Sequence, residues 1–253
     1  MVKSQTGRVG LRRLLGVSVG VTLPYVMLLF LTGCREDSAS LAPSPGIPFS
    51  FKLTPGDFTR YNNWKLNEYG STITTSRFRD SWTVADTGRS YRGQVSVTVI
   101  IDSVFDISSA GPDVLRQIDT LYFHLSQNGD VEQYGFLASL LQRRDGTNLH
   151  PRWDRIGGFS VGSLQSWIVG YADTGGTQAV VGRIEEQPDY VVTNVNGVQT
   201  VLLAYVVDID AADLVVTLWM TDTPPALLRL RDESTQTITG MMKEVELLRP
   251  VSR

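Results

Sequence analysis

The feature that most constrains the fold of this chain is an alternation of apolar and polar residues at every second position. Within Tyr91–Val104, valines occupy every second position from Val95 to Val99, and Leu121–Leu125 alternates in the same way. This period is typical of strands that bury one face of a sheet. Helical periodicity is rare, and its clearest instance is Gly135–Arg144. The sequence therefore predicts a mainly β fold with one or two short helices.

Two Asn-Gly pairs mark predicted hairpin turns, at Asn128-Gly129 and Asn196-Gly197. A two-residue type I′ turn needs positive φ at both central residues, which Asn and Gly tolerate best. The run Thr87–Arg89 contains a central glycine and predicts a further turn between two strands. These signals indicate that neighbouring strands are joined as antiparallel hairpins.

The order of the predicted elements favours one large sheet. About a dozen apolar or alternating segments follow one another between turn signals. They show neither the strand–helix alternation of a parallel sheet nor the repeat of about 40 residues that a propeller shows. We therefore expect a large curved antiparallel sheet or half-open barrel, with a two-sheet β-sandwich as the alternative. The stretch Asp113–Asp119 is compatible with a further helical turn or a loop.

Two apolar segments suggest how this sheet is covered. Val201–Val207 is apolar at almost every position, which indicates a strand covered on both faces. Leu203 is therefore predicted to lie in the core. Phe136–Leu141 is the best candidate for a helical lid over the other face, with Leu140 directed toward a ligand.

The N-terminus reads as a processing segment rather than as part of the fold. Its basic residues precede the apolar stretch Leu14–Leu31 and lie at Lys3, Arg8, Arg12 and Arg13. A positive head, an apolar middle and small residues before a cleavage point describe a secretory signal peptide. The stretch ends in Leu31-Thr32-Gly33-Cys34, which resembles the lipobox of bacterial lipoproteins. We expect residues 1–33 to be the signal peptide.

The lipobox resemblance implies a lipid anchor. The thiol of Cys34 would carry diacylglycerol, and cleavage between Gly33 and Cys34 would make Cys34 the mature N-terminus. Acyl chains would then hold the protein on a membrane, because each buried CH₂ contributes about 0.8 kcal/mol. The alternative is an uncleaved transmembrane helix over Leu14–Gly33, which is long enough to span a bilayer. Acidic residues directly after Arg35 argue against that alternative, because no basic cluster follows as a stop signal.

Charge and composition limit the possible partners. Four of the 23 basic residues and none of the 26 acidic ones precede Cys34, so a chain beginning there has a net charge of −7. Such a domain is a poor binder of polyanions, and nucleic acid is excluded as an expected partner.

Residues 34–50 are rich in Ser, Pro and Ala and are predicted to form a flexible tether. Residues 51–253 are predicted to form a single antiparallel β domain.

No motif of known chemistry is present. The chain lacks the nucleophile elbow, zinc-protease and nucleotide-binding patterns, and it contains one cysteine and two histidines. We therefore identify no candidate catalytic residue, metal ligand or cofactor. The five tryptophans are more suggestive, because aromatic side chains line apolar cavities as well as cores. The candidate ligand-lining residues are Trp82, Trp167, Trp219 and Leu140.

The two ends of the mature domain carry a distant resemblance. Its opening contains Phe51-Lys-Leu-Thr-Pro-Gly56 and Trp64, and its close contains Trp219, Pro224-Pro225, Arg229, Gly240 and Glu246-Leu247. These motifs resemble uncharacterised bacterial envelope lipoproteins and, more distantly, the lipoprotein-carrier (Lol) superfamily. The second resemblance implies an incomplete antiparallel barrel with a helical lid and an apolar concave face.

Together these features favour a non-enzymatic envelope lipoprotein that binds an apolar ligand or a partner protein on a curved sheet. An anchored hydrolase of envelope polymer or glycan and a structural or assembly lipoprotein are the alternatives. Because Arg35 rather than Asp follows the lipid site, we expect the outer membrane as the location. The sequence does not distinguish the periplasmic face of that membrane from its surface face.

Replacing Cys34 by Ser should abolish lipidation and leave the signal peptide uncleaved, because serine lacks the thiol that is alkylated. Mass spectrometry of the membrane fraction should detect a diacylglyceryl-modified peptide beginning at Cys34 in the natural protein. An intact peptide joining Gly33 to Cys34 in the mature natural protein would contradict the expectation.

Overall fold

The computed structural model describes residues 53–67, 69–127, 129–158, 166–173, 175–185, 188–211, 214–221, 227–234 and 240–251. Within these ranges the chain is strand-rich and has one α-helix. The elements are β1 (Phe58–Leu66), β2 (Thr72–Tyr91), β3 (Gln94–Asp106), β4 (Val114–Leu125), β5 (Asp130–Tyr134), α1 (Phe136–Asp145), β6 (Trp153–Gly158), β7 (Ser166–Tyr171), β8 (Ala179–Ile184), β9 (Asp189–Val195), β10 (Val198–Ala211), β11 (Leu214–Met220), β12 (Leu227–Ser234) and β13 (Met241–Arg249). No helix in these ranges is both long and apolar enough to cross a membrane.

The described strands form one hydrogen-bonded sheet in the order β6-β5-β4-β3-β2-β1-β13-β12-β11-β10-β8-β7. Strand β9 lies off this path and pairs with both β10 and β13. Its pairing with β13 is parallel, with Leu247 opposite Asn194. Strands β9 to β13 therefore close into a five-stranded barrel, and β1 to β6 extend the sheet from β13. This arrangement confirms the prediction of a mainly β fold with a large curved sheet or half-open barrel. It does not match the alternative, a two-sheet β-sandwich.

The turns were predicted with mixed success. Asn196 and Gly197 have φ of 51° and 90° and join β9 to β10, as the Asn-Gly pair predicts. The predicted turn at Thr87–Arg89 is wrong, because those residues continue β2 through a series of register shifts. The chain instead turns at Arg92 and Gly93, with φ of 47° and 86°. Bulges in β2 accommodate the extra residues without ending the strand.

The stretch Asp113–Asp119 is not helical and largely belongs to β4, which corrects both alternatives considered for it. Its residues pair with β3, for example Ile118 with Ser103. Val114, Leu115 and Ile118 of this stretch remain exposed. These apolar residues therefore belong to an exposed part of the strand rather than to a helix.

Strand β10 is covered along only part of its length, which corrects the expectation for Leu203. Its first half, up to Ala204, pairs with β9, whereas its second half lies between β8 and β11. Leu203 is 39% exposed and lies opposite the exposed Tyr190, while Val207 is fully buried and lies opposite the buried Leu218. The sequence pattern could not show this difference, because it reports the period of a strand and not the neighbours that cover it.

Helix α1 is an integral part of the core. Leu137 and Leu140 are each only 1% exposed and belong to the main apolar cluster. The buried Asp154 of β6 accepts a hydrogen bond from the backbone N–H of Leu137, at 2.9 Å. This carboxylate satisfies one of the free N–H groups at the helix N-terminus. The expectation of a separate lid that directs Leu140 toward a ligand is therefore corrected.

Placing a carboxylate at Val207 or at Leu203 of β10 should distinguish a core position from a surface position. Val207→Asp should prevent folding, because an unpaired buried carboxylate costs several kcal/mol against a total stability of about 5–15 kcal/mol. Leu203→Asp should leave the melting temperature within a few degrees of the unmodified protein. Thermal melts followed by circular dichroism measure both. Equal destabilisation would contradict the burial described for β10.

Candidate cavity site

A cavity of about 950 Å³ lies on the inner face of the sheet between β1–β6, α1 and β11–β13. Its wall combines aromatic and aliphatic side chains with polar ones in about equal share. The apolar part of the wall contains Phe78, Trp82, Val104, Leu121, Phe123, Phe136, Ile156, Leu218, Met220, Leu227, Leu230 and Met241. A concave wall that presents both apolar surface and convergent polar groups is suited to a small molecule.

Strand register explains how distant residues reach this one cavity. Lys243 of β13 lies opposite Asn63 of β1 on one side and Leu230 of β12 on the other. Asn63 is in turn opposite Phe78 of β2. Residues that face each other across neighbouring strands point to the same side of the sheet. One row of side chains therefore crosses four strands and includes both polar and apolar parts of the wall.

A buried ion pair forms the floor of the cavity. The Lys243 ammonium contacts the carboxylate of Asp80, and both side chains are almost fully buried. The Asn63 amide nitrogen donates a hydrogen bond to the same carboxylate at 2.8 Å. The ammonium also lies 5.0 Å from the ring centroid of Tyr61 and 4.8 Å from that of Trp82. These contacts offset the cost of removing two charges from water.

A second carboxylate, Asp102 of β3, faces the cavity beside this pair. It is 9% exposed, and its Oδ1 has no hydrogen-bond partner among the described residues. Burial raises the pKa of Asp102 to about 6, against the lowering effect of Lys243 and with a further raising effect of Asp80. Asp102 is thus a buried acid whose charge is only partly compensated.

The tryptophans predicted to line a ligand occupy three different environments. Trp82 lines the cavity. Trp167 packs on Gly182, where an added Cβ would lie 2.7 Å from the indole, and its Nε1 donates to the Arg155 carbonyl oxygen at 2.8 Å. Trp219 donates from Nε1 to Asp189 at 2.9 Å.

Trp167, Trp219 and Leu140 are not among the described residues that line the cavity. Leu140 lies in the core of α1 instead. Cys34 and Gly33, the predicted lipidation and cleavage residues, lie outside the described residues. Their roles stay predictions.

The sequence analysis missed the polar residues Asn63, Asp80, Asp102 and Lys243. The available signal was a polar residue at an inward position of an alternating strand. In β13, Lys243 occupies the same face as the buried Val245. Asp80 likewise precedes the inward Trp82 by two residues. Charged residues at such positions are rare without a partner, and this rarity marks them for attention.

Comparisons with known proteins give no assignment. No family model matches the chain, and no curated protein matches it. A candidate lipoprotein from Parabacteroides distasonis has a TM-score of 0.42 and 10% identity, covering 79% of this chain and 98% of its own. A candidate exported protein with a YmcC-like fold from Bacteroides fragilis has a TM-score of 0.40 and 10% identity, covering 79% and 99%. Similarity at this level does not establish a shared family or function.

The arrangement of the cavity favours binding. Within the described ranges no group of three or more His, Cys, Asp or Glu side chains is placed to hold a metal ion. The polar floor provides hydrogen-bond acceptors, and about half of the wall offers apolar surface. The geometry therefore suits a molecule with an apolar body and a polar end.

Asp102→Asn should change how stability depends on pH. A pKa raised in the folded state means that the buried charge is absent at low pH and destabilises the fold as pH rises through about 6. Between pH 4.5 and 8 the natural protein should therefore lose about 2 kcal/mol of unfolding free energy relative to the variant. Denaturant unfolding across that range measures the difference.

The matched control is Asp106→Asn, which neutralises an exposed carboxylate on the same strand. Its stability difference from the natural protein should not show this step near pH 6. A flat difference for Asp102→Asn would contradict the burial of its charge.

Proposed function

We propose that this chain is a lipid-anchored protein of the bacterial cell envelope that binds an amphiphilic ligand in the cavity of its sheet. The N-terminal segment ending in Leu31-Thr32-Gly33-Cys34 supports the anchor. The cavity supports the binding activity. The proposed role is non-enzymatic, because capture of a ligand needs only the wall and floor described above.

The observation that carries this proposal is the composition of the cavity wall. Aromatic and aliphatic side chains from β2, β11 and β12 surround a floor of polar groups. Burying apolar ligand surface contributes about 25 cal/mol per Å², and the floor can orient the polar end of the ligand. A fully apolar cavity would lack that orientation, and a fully polar one would lack the driving force.

The proposed anchor and tether would hold this binding site in the envelope. Acyl chains on Cys34 would bind the membrane, and residues 34–50 would give the β domain freedom to reach ligands near its surface. We propose the outer membrane as the location, because Arg35 rather than Asp follows the lipid site. An apolar ligand of this compartment, or an envelope protein that presents an apolar group, is the expected partner.

Enlarging Gln142 should reduce binding. This exposed residue of α1 lines the cavity, so Gln142→Trp adds an indole to its wall and removes space for a ligand. The neutral fluorescent probe N-phenyl-1-naphthylamine should bind the natural protein saturably and bind Gln142→Trp at least tenfold more weakly. Fluorescence titration and isothermal calorimetry measure the two affinities.

The matched control is Gln199→Trp, which adds the same group to an exposed position on the β9–β10 hairpin. Gln199 is not among the described lining residues, so this variant should bind the probe as the natural protein does. Equal weakening by both variants, or no saturable binding to the natural protein, would contradict the cavity as the binding site.

A further inference from the structure

The buried polar atoms that lack a hydrogen bond are not scattered through the fold. Among the described residues, most of these atoms belong to side chains that are held in ion pairs. Outside ion pairs there are four such atoms, and one of them, Trp82 Nε1, has the carboxylate of Asp102 on the opposite strand as its partner. The other three are Asn63 Oδ1, Asp102 Oδ1 and Thr193 Oγ1, and the first two line the cavity. A buried polar group without a partner is costly, and a cluster of them in one cavity indicates a place for a ligand.

Both of these cavity atoms are hydrogen-bond acceptors. The Asn63 amide nitrogen is already engaged by Asp80, so its oxygen is the free end of the amide. The Oδ1 atom of Asp102 is the second free acceptor. A ligand that binds either atom must donate a hydrogen bond, since an amide oxygen and an ionised carboxylate oxygen only accept.

The charges around Asp102 favour the binding of a cation. The residue opposite Asp102 on β4 is a second carboxylate, Asp119, and the residue opposite it on β2 is the uncharged Trp82. Like charges directly opposite each other on neighbouring strands are destabilising. The nearest buried cation, Lys243, is in direct contact with Asp80. Asp80, Asp102 and Asp119 therefore outnumber Lys243 in this part of the wall.

The remaining cations of the wall lie elsewhere on its strands. Arg116 of β4 pairs with the exposed Asp106 at 3.7 Å. Lys65 lies near the end of β1, opposite Met241 and Ile73. Neither forms an ion pair with Asp102 among the described contacts, so an added cation would supply the missing charge.

We propose, as a refinement that rests on the function proposed above, that the ligand carries a primary ammonium group bound by the carboxylate of Asp102. Its apolar body lies against Trp82, Phe123 and Leu218. The ammonium donates to the free carboxylate oxygen and compensates the charge of Asp102. Ligands with a carboxylate end are disfavoured by the same carboxylates.

Three eight-carbon ligands with different ends test the refinement: n-octylammonium, 1-octanol and octanoate. Isothermal calorimetry at pH 7.5 should show that octylammonium binds at least tenfold more tightly than octanol, with octanoate the weakest. Asp102→Asn should reduce the preference for octylammonium over octanol to about twofold or less while octanol still binds. Asp210→Asn removes an exposed carboxylate of β10, outside the cavity, and should leave the tenfold preference unchanged.

A pH titration of the natural protein gives a measurement that does not depend on the folding of a variant. Octylammonium keeps its charge between pH 7.5 and 5, whereas Asp102 takes up a proton there. Its affinity should fall at least fivefold over this range, and that of octanol should stay constant. The groups that face Asp102 are Asp80, Asp119 and Lys243. They are present in both titrations, so octanol controls for any effect of pH on the cavity itself.

The outcomes separate the refinement from the proposed function. Equal affinities for octylammonium and octanol, a preference that survives Asp102→Asn, or an affinity that does not change with pH would each overturn the ammonium proposal while cavity binding stands. If none of the three ligands nor the neutral naphthylamine probe binds, the proposed function itself is wrong.

Discussion

The contact on which the rest of this structure depends is the buried pair of Lys243 and Asp80. Strand β13 pairs with β1, β12 and β9, so it belongs both to the closed barrel and to the extension of the sheet. Lys243 reaches from this strand across β1 to Asp80 on β2. Removing one member of such a buried pair costs about 3–5 kcal/mol. The pair therefore connects the barrel to the extension at the strand that they share.

The same pair keeps this part of the inner face from being a purely apolar core. Elsewhere, on the inner side of β10 and β11, Val207, Ile209 and Leu218 pack in a continuous apolar cluster. Around Lys243 the inward positions hold Asn63 and Asp102 instead, and polar groups at such positions need solvent or partners. An open cavity at this point is a direct consequence of placing charged residues on the buried face of the sheet.

The sequence predicts those features that depend on local geometry and misses those that depend on the choice of neighbours. The β class, the hairpin at Asn196-Gly197 and the position of α1 follow from periods of two and 3.6 residues and from positive φ. The extension of β2 through Thr87–Arg89 and the exposure of Leu203 depend on bulges and on which strands lie alongside. Apolar character alone therefore predicts the strands and the helix correctly, but it does not predict which of their faces are buried by neighbouring strands.

The tryptophans show why residue type alone could not identify the site. An indole has a large apolar surface and one N–H donor, and Trp167 and Trp219 both satisfy that donor within the protein. The Nε1 of Trp82 instead faces the carboxylate of Asp102 in the cavity wall, and the Oδ1 atom of that carboxylate is buried without a partner. Local rules of folding are most often broken where a protein binds something else. The functional signal thus lies in the unsatisfied polar atoms around Trp82, which become visible only when strand register brings β1, β2 and β3 together.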